Sequence, residues 1–463
     1  MKITFVGATR MVTGSCFHIQ SNSTHLLVDC GLFQGTREDE QRNEDPFPFK
    51  PSDIQYLLLT HAHLDHSGLI PRLVKEGFRG KVIATETTVE LCNIMLLDSA
   101  HIQERDAEWE NRKRMRAGKP PIQPLYTVEE ATDSLACFQD VAYNETVKLG
   151  NGVKARFQDA GHILGSAILE LWVNDGAEEK KLVFSGDIGQ KDSPIVKDPT
   201  IIEEGDYVFT ESTYGNRRHK DIKETTEEFC QAVRETLERG GNVIIPAFAV
   251  GRTQNILYIL KQLSKEGKLK PLKVFLDSPM AIKVTGITLA HPECFDEETL
   301  ELVKEGKFSG NNFSLKFTES VKDSVEINKI KRGAIIISAS GMCNAGRILH
   351  HLKHNLWREE CSVIFVGYQA RGTLGRRIIN GAEEVMILGE EIAVKAKIYT
   401  IGGFSAHADQ KGLLEWLGAF KKKPRRIFVM HGEEETALGF AETIKKQLHI
   451  DAYAPFCLED VTI

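Results

Sequence analysis

One short segment constrains this chain more than any other: residues 57–68 read LLLTHAHLDHSG. The apolar run at its start is typical of a buried strand. Four potential metal ligands follow that run within a few positions, namely His61, His63, Asp65 and His66. Histidine is a borderline-soft neutral donor and aspartate is an anionic one, so the cluster suits zinc better than calcium or magnesium. Because several crowded imidazoles need a shared partner, the segment predicts a metal site where a buried strand ends.

Length and composition limit the class of protein. A chain of 463 residues is too long for one ordinary core, so two or three domains are expected. It is 41% hydrophobic and 27% charged, with no apolar run that could span a membrane and no signal peptide pattern, which favours a soluble cytoplasmic protein. The nine cysteines are never spaced C-x-x-C, which argues against a disulfide framework and a thiolate zinc site. A net charge of −7 argues against non-specific coating by nucleic acid, although it allows a local basic groove.

The pattern of predicted elements changes twice along the chain. Residues 1–211 show short strands separated by turns, with helices between them. Residues 212–396 alternate strand and helix at the spacing of a parallel sheet, as in the strand at 242–246 and the helix at 253–263. The earlier style returns in residues 397–463. We therefore predict an α/β protein in which the middle segment is a domain inserted into another domain.

Polar residues at other strand ends supply the further ligands that a two-metal site needs. His162 lies at a glycine-rich turn just before an apolar strand, and Asp187 ends a buried strand where a carboxylate could bridge two cations. His431 and Asp29 follow two more predicted strands. Each residue alone could be an ordinary hydrogen-bonded loop residue. Taken with residues 61–66, they favour a rigid metal site on one edge of a sheet sandwich.

The order of these residues resembles the metallo-β-lactamase superfamily. The resemblance implies an αββα sandwich with a binuclear site that holds two Zn²⁺ per chain. One zinc would be bound by His61, His63 and His162, and the other by Asp65, His66 and His431. Asp187 would bridge both ions beside a hydroxide, and Asp29 would orient ligands through hydrogen bonds without binding metal.

Three further motifs narrow the resemblance. They are FTESTY at 209–214, FSAHAD at 404–409 and MHGE at 430–433. They resemble the signature motifs of the β-CASP group, nucleic-acid-processing nucleases that include the endonuclease subunit of the cleavage and polyadenylation machinery and RNase J. The resemblance implies an inserted parallel α/β β-CASP domain. It also implies single-stranded RNA as substrate, because the third motif tends to carry histidine in RNA-directed members.

Two features separate the chain from RNase J. Residues 7–15 resemble the endonuclease-type branch more closely, and the sequence ends soon after His431, without the extra C-terminal domain that is typical of RNase J. We therefore expect a zinc-dependent ribonuclease that cleaves endonucleolytically through a two-metal-activated hydroxide. Asp65 and Asp187 would belong to its catalytic set. His407 would be the general acid, with Glu211 orienting it and raising its pKa.

Glycine-rich turns in the middle segment are candidate phosphate sites. They lie where predicted strands meet helices, a position that suits an anion at a helix N-terminus. The candidate residues are Ser338, Ser340, Gly341, Arg347, Arg252, Arg371 and Arg376. Ordinary α/β turns with surface arginines would look the same. The basic runs at 111–116 and 421–426 favour a solvated surface, although the first would contact a phosphate backbone if it lay beside a cleft.

Other functions remain open at this stage. A small-molecule hydrolase of the same fold, acting on a thioester or lactam, would need neither the insert nor the Glu211 and His407 motifs. A non-catalytic subunit would gain nothing from a complete set of costly ligands. A DNA-directed β-CASP nuclease is disfavoured by His431 through the resemblance alone. A homodimer is compatible with the sequence, which does not decide the oligomeric state.

Overall fold

A computed structural model of the chain describes residues 1–21, 23–174, 176, 178–304, 312–367, 369 and 372–463. The chain divides into two compact units. The first unit comprises residues 1–191, 198–218 and 407–463, and the second comprises residues 192–197 and 219–406.

The described strands, in chain order, are β1 Lys2–Phe5, β2 Phe17–Ser21, β3 Thr24–Val28, β4 Tyr56–Leu58, β5 Lys81–Thr85, β6 Phe138–Val141, β7 Thr146–Gly150, β8 Val153–Asp159, β9 Ala167–Asn174, β10 Glu179–Phe184, β11 Tyr207–Thr210, β12 Val243–Pro246, β13 Leu272–Leu276, β14 Phe313–Phe317, β15 Ile335–Ser338, β16 Ser362–Phe365, β17 Glu384–Ile387, β18 Glu390–Ala393, β19 Lys397–Thr400, β20 Arg426–Val429, β21 Ala452–Tyr453 and β22 Asp460–Thr462.

The described α-helices are α1 Arg37–Gln41, α2 Leu64–Ser67, α3 Ile70–Lys75, α4 Glu86–Arg116, α5 Val128–Leu135, α6 Ile222–Glu238, α7 Arg252–Lys265, α8 Pro279–Ala290, α9 Glu297–Lys304, α10 Val321–Ile327, α11 Ile348–Asn355, α12 Leu374–Ile379, α13 Gln410–Gly418 and α14 Glu434–Leu448. Short 3₁₀ turns lie at Arg42–Glu44, Pro51–Asp53, Pro292–Cys294 and Gly402–Phe404.

The first unit is a sandwich of two sheets. Their strand orders are β22-β1-β2-β3-β4-β5-β6 and β21-β20-β11-β10-β9-β8-β7. Both sheets send apolar side chains into one shared core, where the rings of Phe184 and Phe209 stack at 4.2 Å and Phe428 stacks on Phe209 at 5.0 Å. Trp416 of α13 and Phe440 of α14 pack on the other face of the second sheet, and α4 packs against β5 and β6 of the first. The predicted αββα sandwich is confirmed.

The second unit is built on a parallel sheet. Its strand order is β14-β13-β15-β12-β16-β19, and each described pair of neighbouring strands in it is parallel. The central strands are buried on both faces, as Ile244 and Ile336 show with no exposed surface. Such strands read as continuous apolar runs, which is why the sequence predicts this sheet well. The expected inserted parallel α/β domain is confirmed.

The two compact units meet along the chain at 218/219 and 406/407. These boundaries lie a few residues after the predicted ones at 211/212 and 396/397. Strand β19, which sequence analysis placed in the last segment, hydrogen-bonds in parallel to β16 and so belongs to the sheet of the second unit. A four-residue strand has too little pattern to reveal which sheet it joins. The three-segment division of the chain into domains stays a prediction.

Helix α4 is the longest described helix. The Thr85 side chain caps its first turn, and it ends where Gly118 takes a φ of +65°, shortly before two prolines. Leu91 and Leu96 are buried in its first half, whereas its last turns are largely exposed. Among the described helices, none is both long and apolar enough to cross a membrane. All nine cysteines are described, and none of them forms a disulfide bond.

Candidate metal centre

Four segments of the first unit bring the predicted ligands together. His61 and His63 follow β4, and the short helix α2 begins directly afterwards with Asp65 and His66 in it. His162 lies in the turn between β8 and β9, Asp187 follows β10, and His431 follows β20. Strands β10, β11 and β20 are adjacent and parallel, so the residues that follow them meet at one sheet edge.

A first group consists of three imidazoles and one carboxylate oxygen. Nδ1 of His63 lies 3.2 Å from Nε2 of His61 and 3.3 Å from Nε2 of His162. Oδ2 of Asp187 lies 3.4 and 3.5 Å from the same two Nε2 atoms. A tetrahedral zinc with bonds of about 2.0–2.1 Å has ligand atoms about 3.3 Å apart. Each of these four separations therefore matches the edge of a tetrahedral zinc site.

A second group lies beside the first. Nε2 of His431 is 3.1 Å from Nε2 of His66 and 3.4 Å from Oδ2 of Asp65. Oδ1 of Asp187 lies 3.5 Å from Nε2 of His66 and, although buried, takes part in no hydrogen bond with the described residues. Asp187 thus turns one oxygen toward each group. That is the disposition of a carboxylate that bridges two cations, and both donor sets fit a divalent metal.

The protonation states of the first group also suit metal binding, because a ligand must present a lone pair. Burial lowers the pKa of His61 and His162, and it lowers that of His63 to about 3, so these rings are neutral. Burial alone would raise the pKa of Asp187, but His431 and the other surrounding imidazoles outweigh it and hold the pKa well below its usual range. Asp187 is therefore an ionised carboxylate in a buried site.

Asp29 lies outside both groups and supports one of them. Its Oδ2 is 2.7 Å from Nδ1 of His66, and its Oδ1 accepts the backbone N–H of Thr60 at 2.8 Å. The Ser15 hydroxyl donates to Oδ2 at 3.1 Å. A proton on Nδ1 that is donated to Asp29 leaves the lone pair of His66 on Nε2, which faces the metal group. The orienting role of Asp29 stays a prediction, and these are the contacts through which Asp29 would act.

Supporting hydroxyls were not singled out from the sequence. Oγ1 of Thr213 lies 3.1 Å from Nδ1 of His431 and so orients that ring much as Asp29 orients His66. The Ser166 hydroxyl accepts the backbone N–H of His162 at 3.1 Å and holds its turn closed. Thr213 stands inside the motif at 209–214, which was the available signal. Nothing in residue type or spacing marked Ser166.

The backbone at the site is held in unusual conformations. Asp29 and His431 have φ of +59° and +48°, a left-handed region that non-glycine residues rarely adopt. A Cβ on Gly31 would lie 1.7 Å from the carbonyl oxygen of Asp65. Only glycine therefore allows this loop to pack against the turn that carries Asp65 and His66. Strain and close approach at these loops are typical of a site shaped for function.

Glu211 and His407 form a pair beside the metal groups. Nδ1 of His407 lies 3.1 and 3.2 Å from the two carboxylate oxygens of Glu211, which also accepts the backbone N–H of Ile188 at 2.7 Å. Burial lowers the pKa of His407, but Glu211 and then Asp187 outweigh it and raise the pKa to about 9. A carboxylate oxygen of Glu211 also lies within 4.8 Å of potential ligand atoms of Asp187 and His431. We assign it to His407 because both of its oxygens face that ring.

The predicted phosphate residues lie in the second unit, and several are engaged within it. The Ser338 hydroxyl donates to the backbone carbonyl of Asp277, and Nη1 of Arg347 donates to the Asp277 carboxylate at 2.8 Å. The Ser340 hydroxyl donates to the carbonyl of Ala345 at 3.1 Å. These contacts give Ser338, Ser340 and Arg347 a structural explanation. Their role toward a phosphate remains a prediction.

The remaining phosphate candidates are placed differently. Gly341 packs against the ring of Phe248, which a Cβ would meet at 2.8 Å. Arg252 begins α7 and is 9% exposed, while Arg376 lies in α12 and is half-buried. Arg371 falls outside the described residues. None of these placements assigns a ligand, so their predicted roles also remain untested.

Comparisons with known proteins agree with this geometry. Residues 10–142 match the family model for the metallo-beta-lactamase superfamily, residues 253–378 match the Beta-Casp domain, and residues 391–455 match the Zn-dependent metallo-hydrolase RNA specificity domain. A protein of unknown function from Enterococcus faecalis V583 shares the fold, with a TM-score of 0.55 at 13% identity over 100% of this chain and 99% of that one.

Two relatives of known name establish the family to which the chain belongs. Ribonuclease TTHA0252 of Thermus thermophilus is 38% identical over 96% of this chain and 96% of its own length. Transcription termination factor FttA of Methanocaldococcus jannaschii is 30% identical over 100% of this chain, which spans 72% of that relative. The chain therefore belongs to the β-CASP family of metal-dependent hydrolases in the metallo-β-lactamase superfamily.

Proposed function

We propose that this protein is a ribonuclease that hydrolyses phosphodiester bonds of single-stranded RNA with two Zn²⁺ bound per chain. The observation that carries the proposal is Asp187, which turns one oxygen toward each of two ligand groups. The ligand separations in the first group match the edges of a zinc tetrahedron. Zinc is also supported by the metallo-hydrolase family model over residues 391–455.

RNA as the substrate is supported by the relatives. The bacterial relative is named a ribonuclease and the archaeal one a transcription termination factor, and the matched C-terminal model is described as an RNA specificity domain. Endonucleolytic cleavage is the finer part of the proposal and rests on the resemblance of residues 7–15 to the endonuclease-type branch. Such a reaction would place the protein in the cytoplasm, where RNA is available to it.

The chain's own residues would prepare the reaction as follows. Two zinc ions at such a site would activate water for attack and offset the negative charge that develops on the phosphoryl oxygens. Asp29 and Thr213 hold the rings of His66 and His431 so that their Nε2 atoms face the centre. These positions are set before substrate binds, so little reorganisation is needed during the reaction.

His407 would supply the proton that the leaving oxygen needs. Glu211 contacts Nδ1, so Nε2 is the ring atom that would donate the proton to the leaving 3′ or 5′ oxygen. The carboxylate also stabilises the charged form of the ring, which keeps a proton available at neutral pH. A thioester expels a weakly basic thiolate and gains less from such a donor. The pair therefore supports a phosphodiester substrate.

The decisive experiment uses a circular single-stranded RNA and a linear 20-nucleotide RNA labelled at its 5′ end. The wild type with zinc is expected to linearise the circle, because internal cleavage needs no free end, whereas Asp187→Ala should cleave neither RNA. Cleavage by Asp187→Ala at the wild-type rate would overturn the metal mechanism. Degradation of linear RNA alone would replace endonuclease with exonuclease action. Turnover of a thioester or lactam without any RNA cleavage would overturn the proposed function.

A further inference from the structure

The exposed last turns of α4 carry a basic and aromatic stripe that the metal centre does not use. We define the stripe as Arg105, Trp109, Arg112, Lys113 and Arg116. Spacings of three and four residues place these side chains on one helix face, and all five are exposed. The opposite face turns inward, where Ala107 is buried. The stripe is therefore a solvent-facing surface of the first unit.

We propose that this stripe binds single-stranded RNA, with Trp109 as a stacking platform for a base and the four cations as phosphate contacts. The inference rests on the proposed ribonuclease function and adds a binding surface to it. Single-strand binding proteins use the same combination of aromatic rings and positive charge.

Charge is the first argument. Residues 105–119 contain six Lys or Arg and three Asp or Glu, in a chain whose net charge is −7. This segment is thus a local positive region on an acidic protein, and a phosphate backbone is its complement. Acidic side chains lie near two of these cations, with Arg112 3.9 Å from Glu108 and Lys113 3.6 Å from Glu110. Because these four side chains are well exposed, the acids offset the positive charge only weakly.

Trp109 is the second argument. Its side chain is 58% exposed, which is unusual for the largest apolar residue type. The Lys113 ammonium lies 3.1 Å from the ring centroid and covers one ring face. The pair therefore offers an aromatic surface and a cation within one helical turn. A base could stack on the ring while its phosphate contacts the ammonium.

The stripe does not resemble a membrane-binding helix. A helix that lies in a lipid interface needs a continuous apolar face, with the cations on the opposite side. Here one tryptophan is surrounded by four cations on the same face. The nearby exposed Met115 is six positions after Trp109 and hence about 120° around the helix, so the two side chains do not form a continuous apolar face. RNA therefore fits the arrangement better than lipid.

The position of α4 predicts how long a bound RNA must be. The hydroxyls of Thr85 and Thr88 both donate to the carbonyl of Gly165, so the start of the helix is anchored on the turn that carries His162. From Thr88 to Trp109 the helix rises about 30 Å, at about 1.5 Å per residue. A trinucleotide is too short to span this distance, since a stacked strand advances about 3.4 Å per nucleotide. A 20-nucleotide strand is long enough.

The test measures binding and cleavage of a trinucleotide and of a 20-nucleotide single-stranded RNA. Trp109→Ala is expected to weaken binding of the 20-mer about tenfold, in the range of one lost stacking contact, and to leave trinucleotide cleavage unchanged. Arg112→Glu/Lys113→Glu should weaken it further and flatten its dependence on salt. The charge-matched control is Lys422→Glu/Lys423→Glu, which reverses two exposed cations in the other basic run, where no exposed tryptophan accompanies them.

Each outcome separates the two proposals. If the wild type cleaves neither RNA, the proposed function itself fails. If the wild type cleaves both and the α4 variants bind the 20-mer as the wild type does, only the stripe is rejected. An equal loss in the Lys422 and Lys423 control would reject a specific stripe in favour of general charge. A change in sedimentation of Trp109→Ala without a change in RNA affinity would assign the surface to a second copy of the chain instead.

Discussion

Both carboxylate oxygens of Glu211 lie within 3.2 Å of Nδ1 of His407, although 196 residues separate the two in the chain. The pair stands next to the metal groups, since Nδ1 of His407 is 3.9 Å from Oδ2 of Asp187. It contributes no atom to either of the two groups that gather the predicted ligands. Its geometry instead points Nδ1 of the His407 ring at the carboxylate of Glu211.

We expect the loss of activity in His407→Ala to depend on whether the leaving group of the substrate needs a proton. Cleavage of RNA, whose leaving oxygen needs a proton, should fall about 10²- to 10⁴-fold. Hydrolysis of a p-nitrophenyl phosphodiester should fall far less, because nitrophenolate leaves without protonation. Steady-state rates on both substrates provide the measurement, with exposed His101→Ala as control. Equal losses on both substrates would show that His407 acts in binding or metal retention rather than as an acid.

The zinc content of variants should distinguish the two ligand groups of the metal centre. The wild type, purified with zinc present and analysed by inductively coupled plasma mass spectrometry, is expected to hold two equivalents of zinc. His63→Ala should retain about one equivalent, because His63 belongs to the first group alone, whereas Asp187→Ala should weaken both sites since it faces both groups. Wild-type protein that saturates with a single equivalent would contradict the binuclear assignment.

The candidate ligands could be singled out from sequence because they lie next to the ends of apolar strands. Strand β10 ends just before Asp187, and β20 ends just before His431. What sequence could not show is that β10, β11 and β20 are neighbours in one sheet. That order depends on tertiary packing and places Asp187, Glu211 and His431 side by side. The expectation that these three residues lie together came from the motif resemblance. It did not come from the periodicity of the sequence.

For the phosphate candidates, the local sequence does not show which partner a side chain contacts. A glycine-rich turn with an arginine after a strand has the same local sequence whether its arginine binds a ligand or a buried acid. Arg347 pairs with Asp277, which directly follows β13, lies 70 residues earlier and is fully buried. No pattern in the sequence could join them, because β13 and β15 become neighbours only in the folded sheet. The contact of Arg347 with this buried acid could not be predicted from sequence, and its role toward a phosphate stays a prediction.

Replacement of Asp29 should weaken metal retention without removing a ligand. Asp29→Ala leaves Nδ1 of His66 and the backbone N–H of Thr60 without their acceptor, and we expect zinc affinity to fall about 10- to 100-fold. Asp29→Asn, which keeps one acceptor oxygen, should lose less. Competition with a chromogenic chelator measures the affinity. If Asp29→Ala retained zinc as tightly as the wild type, an orienting role for this residue would be untenable.

The buried Asp277 should contribute to the stability of the second unit in a way that depends on pH. Its carboxylate accepts hydrogen bonds from Ser324, Arg347 and His351, and although burial would raise its pKa, these partners lower the pKa to about 2. Because the folded pKa is depressed, this stabilisation is fully present above the unfolded value near 3.8 and is lost as the pH falls toward 2.

Asp277→Asn should therefore lower the free energy of unfolding by about 2 kcal/mol or more at pH 7, since it removes the charge and leaves buried donors poorly paired. Urea unfolding of both proteins at pH 7 and pH 3 gives the measurement, and the difference between them should shrink at the lower pH. Glu326→Gln, which alters an exposed pair with Lys329, is the control and should change stability by less than about 0.5 kcal/mol. A difference between wild type and Asp277→Asn that stayed constant from pH 7 to pH 3 would show that packing, and not the charge of Asp277, supports the second unit at this position.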